Sequence, residues 1–282
     1  MKRLIRSALF VPASKPRAIQ KAAGLGADML ILDLEDALGP EEKADGREAV
    51  EKALSSWETS GAIRAVRIND LDTPWGQDDV RAACRADAIV LPKVDQVGDL
   101  HSARQALSSH GVSTPIWAMI ETPRALLNLA GIASATGTGL AGLIAGTNDL
   151  CNELRCLPDA ERQALLPHLV QTVCAARANG LYALDGVYNH FLDPKGFRQE
   201  AEQGHRLGFD GKSLIHPNQV DLAHSYFGPT SAELEQAARI IAAFAAPENA
   251  GKGVISLDGD MVERLHLEAA RALLAHGSDN DS

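Results

Sequence analysis

The sequence predicts a (β/α)8 TIM barrel followed by a C-terminal helical tail. Three observations carry this. Short apolar runs alternate with longer Ala/Leu/Glu/Arg-rich runs of helical spacing. Eight such pairs fit before about residue 228, the number that closes a barrel. Nearly every apolar run also ends in charged or polar residues.

In order, strands are expected near 6–11 (RSALFV), 28–34 (DMLILDL), 63–68 (IRAVRI), 87–91 (DAIVL), 115–120 (PIWAMI), 140–145 (LAGLIA), 181–187 (LYALDGV) and 210–215 (DGKSLI). Helices fill the gaps near 14–24, 41–57, 96–109, 123–134, 158–179, 194–207 and 218–226, with Ser14 a candidate cap for the first. A doubly wound open sheet would need a Gly-rich turn between an early strand and its helix. The only candidate, Gly24-Leu25-Gly26-Ala27, follows a helix instead and reads as its C-cap. Residues 1–228 are thus assigned to the barrel and 229–282 to an extension. In the extension, a helix capped by Thr230 or Ser231 precedes a Gly-rich, strand-like AGKGVISLDGD and a second amphipathic helix. The final GSDNDS is expected to fray.

Composition narrows function. The 282 residues are 45% hydrophobic and can bury a large core. A net charge of −10 argues against nucleic-acid binding but leaves room for a local basic pocket. The N-terminus is basic, but Pro12 interrupts its apolar run, so it reads as a first strand and not a signal peptide. No run approaches the roughly 18 apolar residues of a membrane span. Cys84, Cys151, Cys156 and Cys174 form no CxxC pair, which fits reduced thiols in a cytoplasmic protein.

Barrel enzymes place their chemistry at the C-terminal strand ends. Those positions hold Asp33, Glu35 and Asp36, then Arg67 and Asn69, then Lys93, Glu121, Asp149, Asp185, Asn189 and His216. Glu121 ends an apolar strand just before Thr122-Pro123, a place that makes sense if it points into the barrel mouth. With Asp149 on the adjacent unit it would suit a hard cation such as Mg²⁺, which takes one or two carboxylates and keeps waters. Arg67 offers a planar fork for a carboxylate or enolate oxygen. Plainer roles stand beside these. Glu121 could pair with Arg124 or accept backbone N–H groups, and Asp149 could cap a turn. Arg67 could neutralise Glu35, and His216 could simply be packed. Lys15, Arg17 and Lys21 on the first helix are either a solvated face or a cradle for the phosphates of a large cofactor.

The ordered series LFVPASKPR, DLEDAL, RIN, LPKV, IETPRALLN, GTNDL, DGVYN and GFDGKSLIHPNQV, from about residue 7 to 228, resembles the citrate lyase β-subunit-like branch of the HpcH/HpaI aldolase superfamily. The resemblance implies a Mg²⁺-binding barrel, often a homotrimer. It implies reversible cleavage of a β-hydroxyacyl-CoA, such as malyl-CoA or citramalyl-CoA, to acetyl-CoA and a 2-oxo acid. Glu121 and Asp149 then match metal ligands, Arg67 (with Asn69 beside it) a substrate-binding group, and Glu35 and Asp36 the acidic motif that faces the metal waters and substrate; the chemistry needs a general base, and Glu35 or Asp36 is read as it. The basic first helix, with Lys15, Arg17 and Lys21, argues for CoA. The rivals are a citrate lyase β subunit acting on a carrier-protein thioester, an aldolase of free hydroxy-oxo acids, and a non-catalytic barrel. Two departures stand out. The tail reads LDGDMVE where the family has a DGxMID-like stretch, leaving Asp258 or Glu263 as possible lid residues reaching a neighbouring subunit. His190 stands where an acid is expected, and is read as a rim variant that could alter substrate preference.

Overall fold

The computed structural model describes residues 3–58 and 60–277. The end of the expected frayed stretch, 278–282, lies outside them. Residues Ile5–Phe227 form one compact unit, and the chain from Gly228 onward belongs to a second.

The first unit is a closed barrel of eight parallel strands in sequence order. They are β1 (Ser7–Pro12), β2 (Met29–Asp33), β3 (Ile63–Arg67), β4 (Ala88–Leu91), β5 (Ile116–Ile120), β6 (Leu140–Ala145), β7 (Tyr182–Asp185) and β8 (Gly211–Leu214). Its helices are α1 (Pro16–Ala22), α2 (Lys43–Ser56), α3 (Gly76–Ala82), α4 (Val97–Ser109), α5 (Pro123–Ala133), α6 (Thr147–Leu154), α7 (Leu166–Ala178), α8 (Pro194–Leu207) and α9 (Val220–Phe227). The (β/α)8 expectation holds.

Both strand faces are apolar because both are buried. Side chains of alternating parity divide between two cores. Leu30, Leu32, Val66, Ile89, Leu91, Ala118 and Ile120 meet the helices. Ala8, Met29, Ile31, Ala65, Val90, Trp117, Met119 and Ile144 fill the barrel interior. Continuing the interior parity to the strand ends gives Phe10, Asp33, Arg67, Glu121 and Gly146. The two-residue repeat that packs the barrel therefore delivers the charged groups to its mouth.

Local differences from the expected elements have simple causes. Sequence reading left out α3 and α6, which are only seven and eight residues long. The expected helix at 158–179 begins at Leu166, since residues 155–165 form a loop in which Arg155 and Arg162 adopt left-handed backbone. Ser14 does not cap α1; the N-cap is Lys15, which makes no side-chain cap bond, and Pro16 starts the helix.

The second unit contains α10 (Ser231–Ala245), the antiparallel hairpin β9 (Val254–Leu257) and β10 (Asp260–Glu263), and α11 (Arg264–Gly277). Thr230 caps α10 by accepting the Glu233 N–H, while the Glu233 carboxylate accepts the Thr230 N–H. Asp258 occupies the hairpin turn at φ 55° and is ion-paired to Arg239.

Candidate active site

Arg67 lies at the centre of one wall. Its Nε and Nη2 donate to the two Asp33 carboxylate oxygens at 2.7 and 2.6 Å. Its Nη1 lies 2.9 Å from Glu35 Oε2, and its guanidinium sits 4.9 Å from the Phe10 ring centre. The fork expected to take substrate is therefore already filled by Asp33. Arg67 is a fixed charge, and its pairing with Glu35 is the plainer role weighed above. Burial alone would pull Arg67 down; the hydrogen bond and charge of Asp33, then Glu35 and Asp36, raise it instead. Burial pushes Glu35 up to about 7 against the pull of Arg67. Asp36 is exposed and faces the cavity.

Two strands further round, Glu121 is only 1% exposed. Its Oε1 accepts the Lys93 backbone N–H at 2.7 Å. Lys93 reaches that position with φ 49°, a left-handed conformation that costs a non-glycine residue of order 1 kcal/mol. Arg124 goes to Asp95, not to Glu121. Glu121 Oε2 is buried and has no hydrogen-bond partner among the described residues. Burial, added to by the Asp149 charge, pushes this carboxyl up to about 8. Asp149 is half-buried in the first turn of α6. Gly146 makes this closeness possible: a Cβ there would lie 2.3 Å from Glu121 Cβ and 2.5 Å from Oε2.

Glu121, Asp149, Asp33, Asp36 and Arg67 line one cavity of about 410 Å³, whose apolar side is Phe10, Met119, Val187 and Ile215. No group of three or more His, Cys, Asp or Glu side chains among the described residues could hold a metal. Two carboxylates with room for waters and substrate oxygens suit Mg²⁺, and the orphaned Glu121 oxygen is what a cation would satisfy. The donors are all hard oxygens, without thiolate or imidazole, which disfavours zinc.

Other expected residues lie elsewhere. Asn69 was expected to bind substrate, but it is 3% exposed and fully engaged. Its Oδ1 accepts from Lys43 Nζ (2.8 Å), and its Nδ2 donates to Leu34 O (2.9 Å) and Asp79 Oδ2 (2.6 Å). Lys43, overlooked in the sequence, is 5% exposed and donates to the Leu34 and Glu35 carbonyls at 2.8 and 2.7 Å. It pins the backbone of the acidic turn. Lys15, Arg17 and Lys21 are exposed on α1. Asp185 is fully buried, held by Lys212 (3.0 Å) and Arg162 (2.7 Å). Burial would raise its carboxyl, but Lys212 and Arg162 outweigh that and lower it. His216 accepts the Asn218 N–H and stacks on Phe191, the packed role. His190 is exposed and lines a neighbouring cavity. Asp258 and Glu263 belong to the second unit. Lys43 was hard to find because two of its partners are backbone carbonyls, and the role of Lys93 because it serves Glu121 through its own backbone N–H; neither leaves a residue pattern.

Residues 6–217 match the HpcH/HpaI aldolase/citrate lyase family. The chain is 46% identical over 272 residues to a (3S)-malyl-CoA thioesterase of Cereibacter sphaeroides, covering 96% of this chain and 93% of that one. It is 36% identical over 279 residues to the citrate lyase β subunit of Escherichia coli, covering 96% and 92%. Among solved structures, Mycobacterium tuberculosis CitE in complex with magnesium, acetoacetate and coenzyme A superposes with a TM-score of 0.80 at 27% identity, covering 96% and 97%.

Proposed function

The chain belongs to the HpcH/HpaI aldolase/citrate lyase family, as a citrate lyase β-like carbon–carbon lyase, and from that premise we propose that it is a Mg²⁺-dependent lyase of short β-hydroxyacyl-CoA thioesters. Malyl-CoA is the first substrate to test, with citramalyl-CoA beside it. One observation carries the reading: a buried carboxylate oxygen of Glu121, without a partner, in a cavity it shares with Asp149. An ionised carboxylate left so would cost several kcal/mol, which a cation removes. The magnesium in the CitE relative supports the choice of ion.

A Mg²⁺ bound there would supply Lewis-acid stabilisation of the charge that develops as the carbon–carbon bond breaks. The chain supplies the rest. Glu121 and Asp149 hold the ion. Arg67, fixed by Asp33, supplies positive charge beside the developing enolate of acetyl-CoA. The Glu35–Asp36 pair takes the hydroxyl proton; Glu35, at about 7, is suited to holding or releasing one near neutrality. The exposed cations Lys15, Arg17 and Lys21 are proposed to meet the CoA phosphates. Self-association as a homotrimer and a lid formed by Asp258 or Glu263 of a neighbouring subunit are proposed from the family resemblance, and a cytoplasmic location from four cysteines without a CxxC pair. No helix among the described residues is long and apolar enough to cross a membrane.

The name of the Cereibacter relatives favours a second reading, hydrolysis of the thioester. One experiment separates the two. Malyl-CoA is incubated with enzyme and Mg²⁺, or with EDTA, and the products are resolved by mass spectrometry. Lyase chemistry gives acetyl-CoA and glyoxylate; hydrolysis gives malate and free CoA. Asp149→Asn should abolish the Mg²⁺-dependent product. Equal turnover in EDTA would overturn the proposal.

A further inference from the structure

The Asp149 carboxylate has no hydrogen bond or ion pair among the described residues, so only the placement of its backbone aims it. The residue before it, Asn148, is tied to the neighbouring unit at the barrel mouth. Asn148 Nδ2 donates to Asn189 Oδ1 at 3.2 Å, and Asn189 Nδ2 donates to Asn148 Oδ1 at 2.7 Å. This closed pair of amide bonds joins the first turn of α6 to the loop after β7.

That loop is itself held firmly on both sides of Asn189. The Tyr188 carbonyl accepts from Gln219 Nε2 at 2.9 Å, and the Phe191 carbonyl from Asn218 Nδ2 at 2.8 Å. Nearer the strand, a Cβ on Gly186 would lie 2.3 Å from Thr147 Oγ1, so the two segments also meet backbone against side chain. Asn189 is thus a rigid post, and Asn148 is the link from it to the turn bearing Asp149. Both asparagines are exposed, so nothing in the packing of the core requires them.

We propose that Asn189, acting through Asn148, is a positioning residue that sets the Mg²⁺ affinity of the Asp149–Glu121 pair. The inference rests on the metal assignment made under the proposed function, not on the identity of the thioester. Groups that hydrogen-bond a metal ligand directly typically change affinity by about 10–100-fold when removed; Asn189 acts at one remove, through the Asn148 backbone, which sets the expectation at the low end.

The test is Mg²⁺ titration by calorimetry on the full chain. Asn189→Ala should raise the Kd about tenfold, leaving the urea midpoint of the metal-free protein unchanged and kcat at saturating Mg²⁺ close to wild type. Asn148→Ala should match it. The double variant should be no worse than either single one, because both changes break the same link. An unchanged Kd in Asn189→Ala overturns the proposal. So do additive losses, which would mean that each residue acts alone, or a Kd change that only follows lost stability. If Asp149→Asn leaves Mg²⁺ binding intact, the metal assignment falls and this inference with it. If wild type binds Mg²⁺ through Asp149 yet cleaves no thioester, only the substrate reading fails.

Discussion

Replacing Glu121 with Gln should stabilise the metal-free protein while destroying its Mg²⁺ site. The carboxyl rises from an ordinary 4.5 to about 8 on folding, chiefly through burial. At pH 7 the unfolded chain ionises Glu121 and the folded one keeps it protonated. The pH lies about 2.5 units above the ordinary value, which at about 1.4 kcal/mol per unit makes a penalty of about 3.5 kcal/mol. The sign follows from the raised value: the penalty is absent below about pH 4.5, grows as pH rises, and levels off above about pH 8. Gln carries no such penalty. Its oxygen can still accept the Lys93 N–H, and its amide replaces an unpartnered carboxyl oxygen, so the remaining terms nearly cancel. Urea unfolding in EDTA at pH 5 and pH 7.5 measures the difference. The variant should be within about 1 kcal/mol of wild type at the lower pH and more stable by up to about 4 kcal/mol at the higher. Adding Mg²⁺ should stabilise wild type alone. A variant less stable than metal-free wild type at both pH values, by the same amount, would refute the reasoning.

Three further outcomes are expected. Mg²⁺ must displace a proton from Glu121, so its apparent affinity should climb with pH by up to about tenfold per unit and flatten above about pH 8; calorimetry in buffers of different ionisation enthalpy counts the protons released. Gly146→Ala places a Cβ 2.3 Å from Glu121 Cβ and should displace that carboxylate, cutting turnover by about 100-fold with little change in circular dichroism. Lys212→Met strips the buried Asp185 of one of its two cationic partners and should cost about 3–5 kcal/mol in urea unfolding, unlike a surface change such as Arg239→Ala.

Strand and helix alternation made the barrel legible, because a strand buried on both faces must be apolar along its length and must stop where the chain reaches water. The same rule located Asp33, Arg67 and Glu121, whose places follow from a two-residue repeat running out of the barrel interior. Asp149 was legible as a residue at the end of β6, although it sits in a short helix too brief to show a period. Lys93 and Lys43 were not legible as partners, since they serve Glu121 and the Glu35 turn through backbone N–H and carbonyl groups that any residue carries.

What the sequence determined by itself was the order of elements and the set of charged groups at one rim, since periodicity and strand-end chemistry are local properties. Only the tertiary structure decided how those charges are shared. It gave Arg67 to Asp33, gave Asn69 to Lys43, and left one Glu121 oxygen without a partner. Each of those outcomes depends on which side chains from distant strands come within about 3 Å of one another, a competition that closing the barrel resolves and no single stretch of sequence contains.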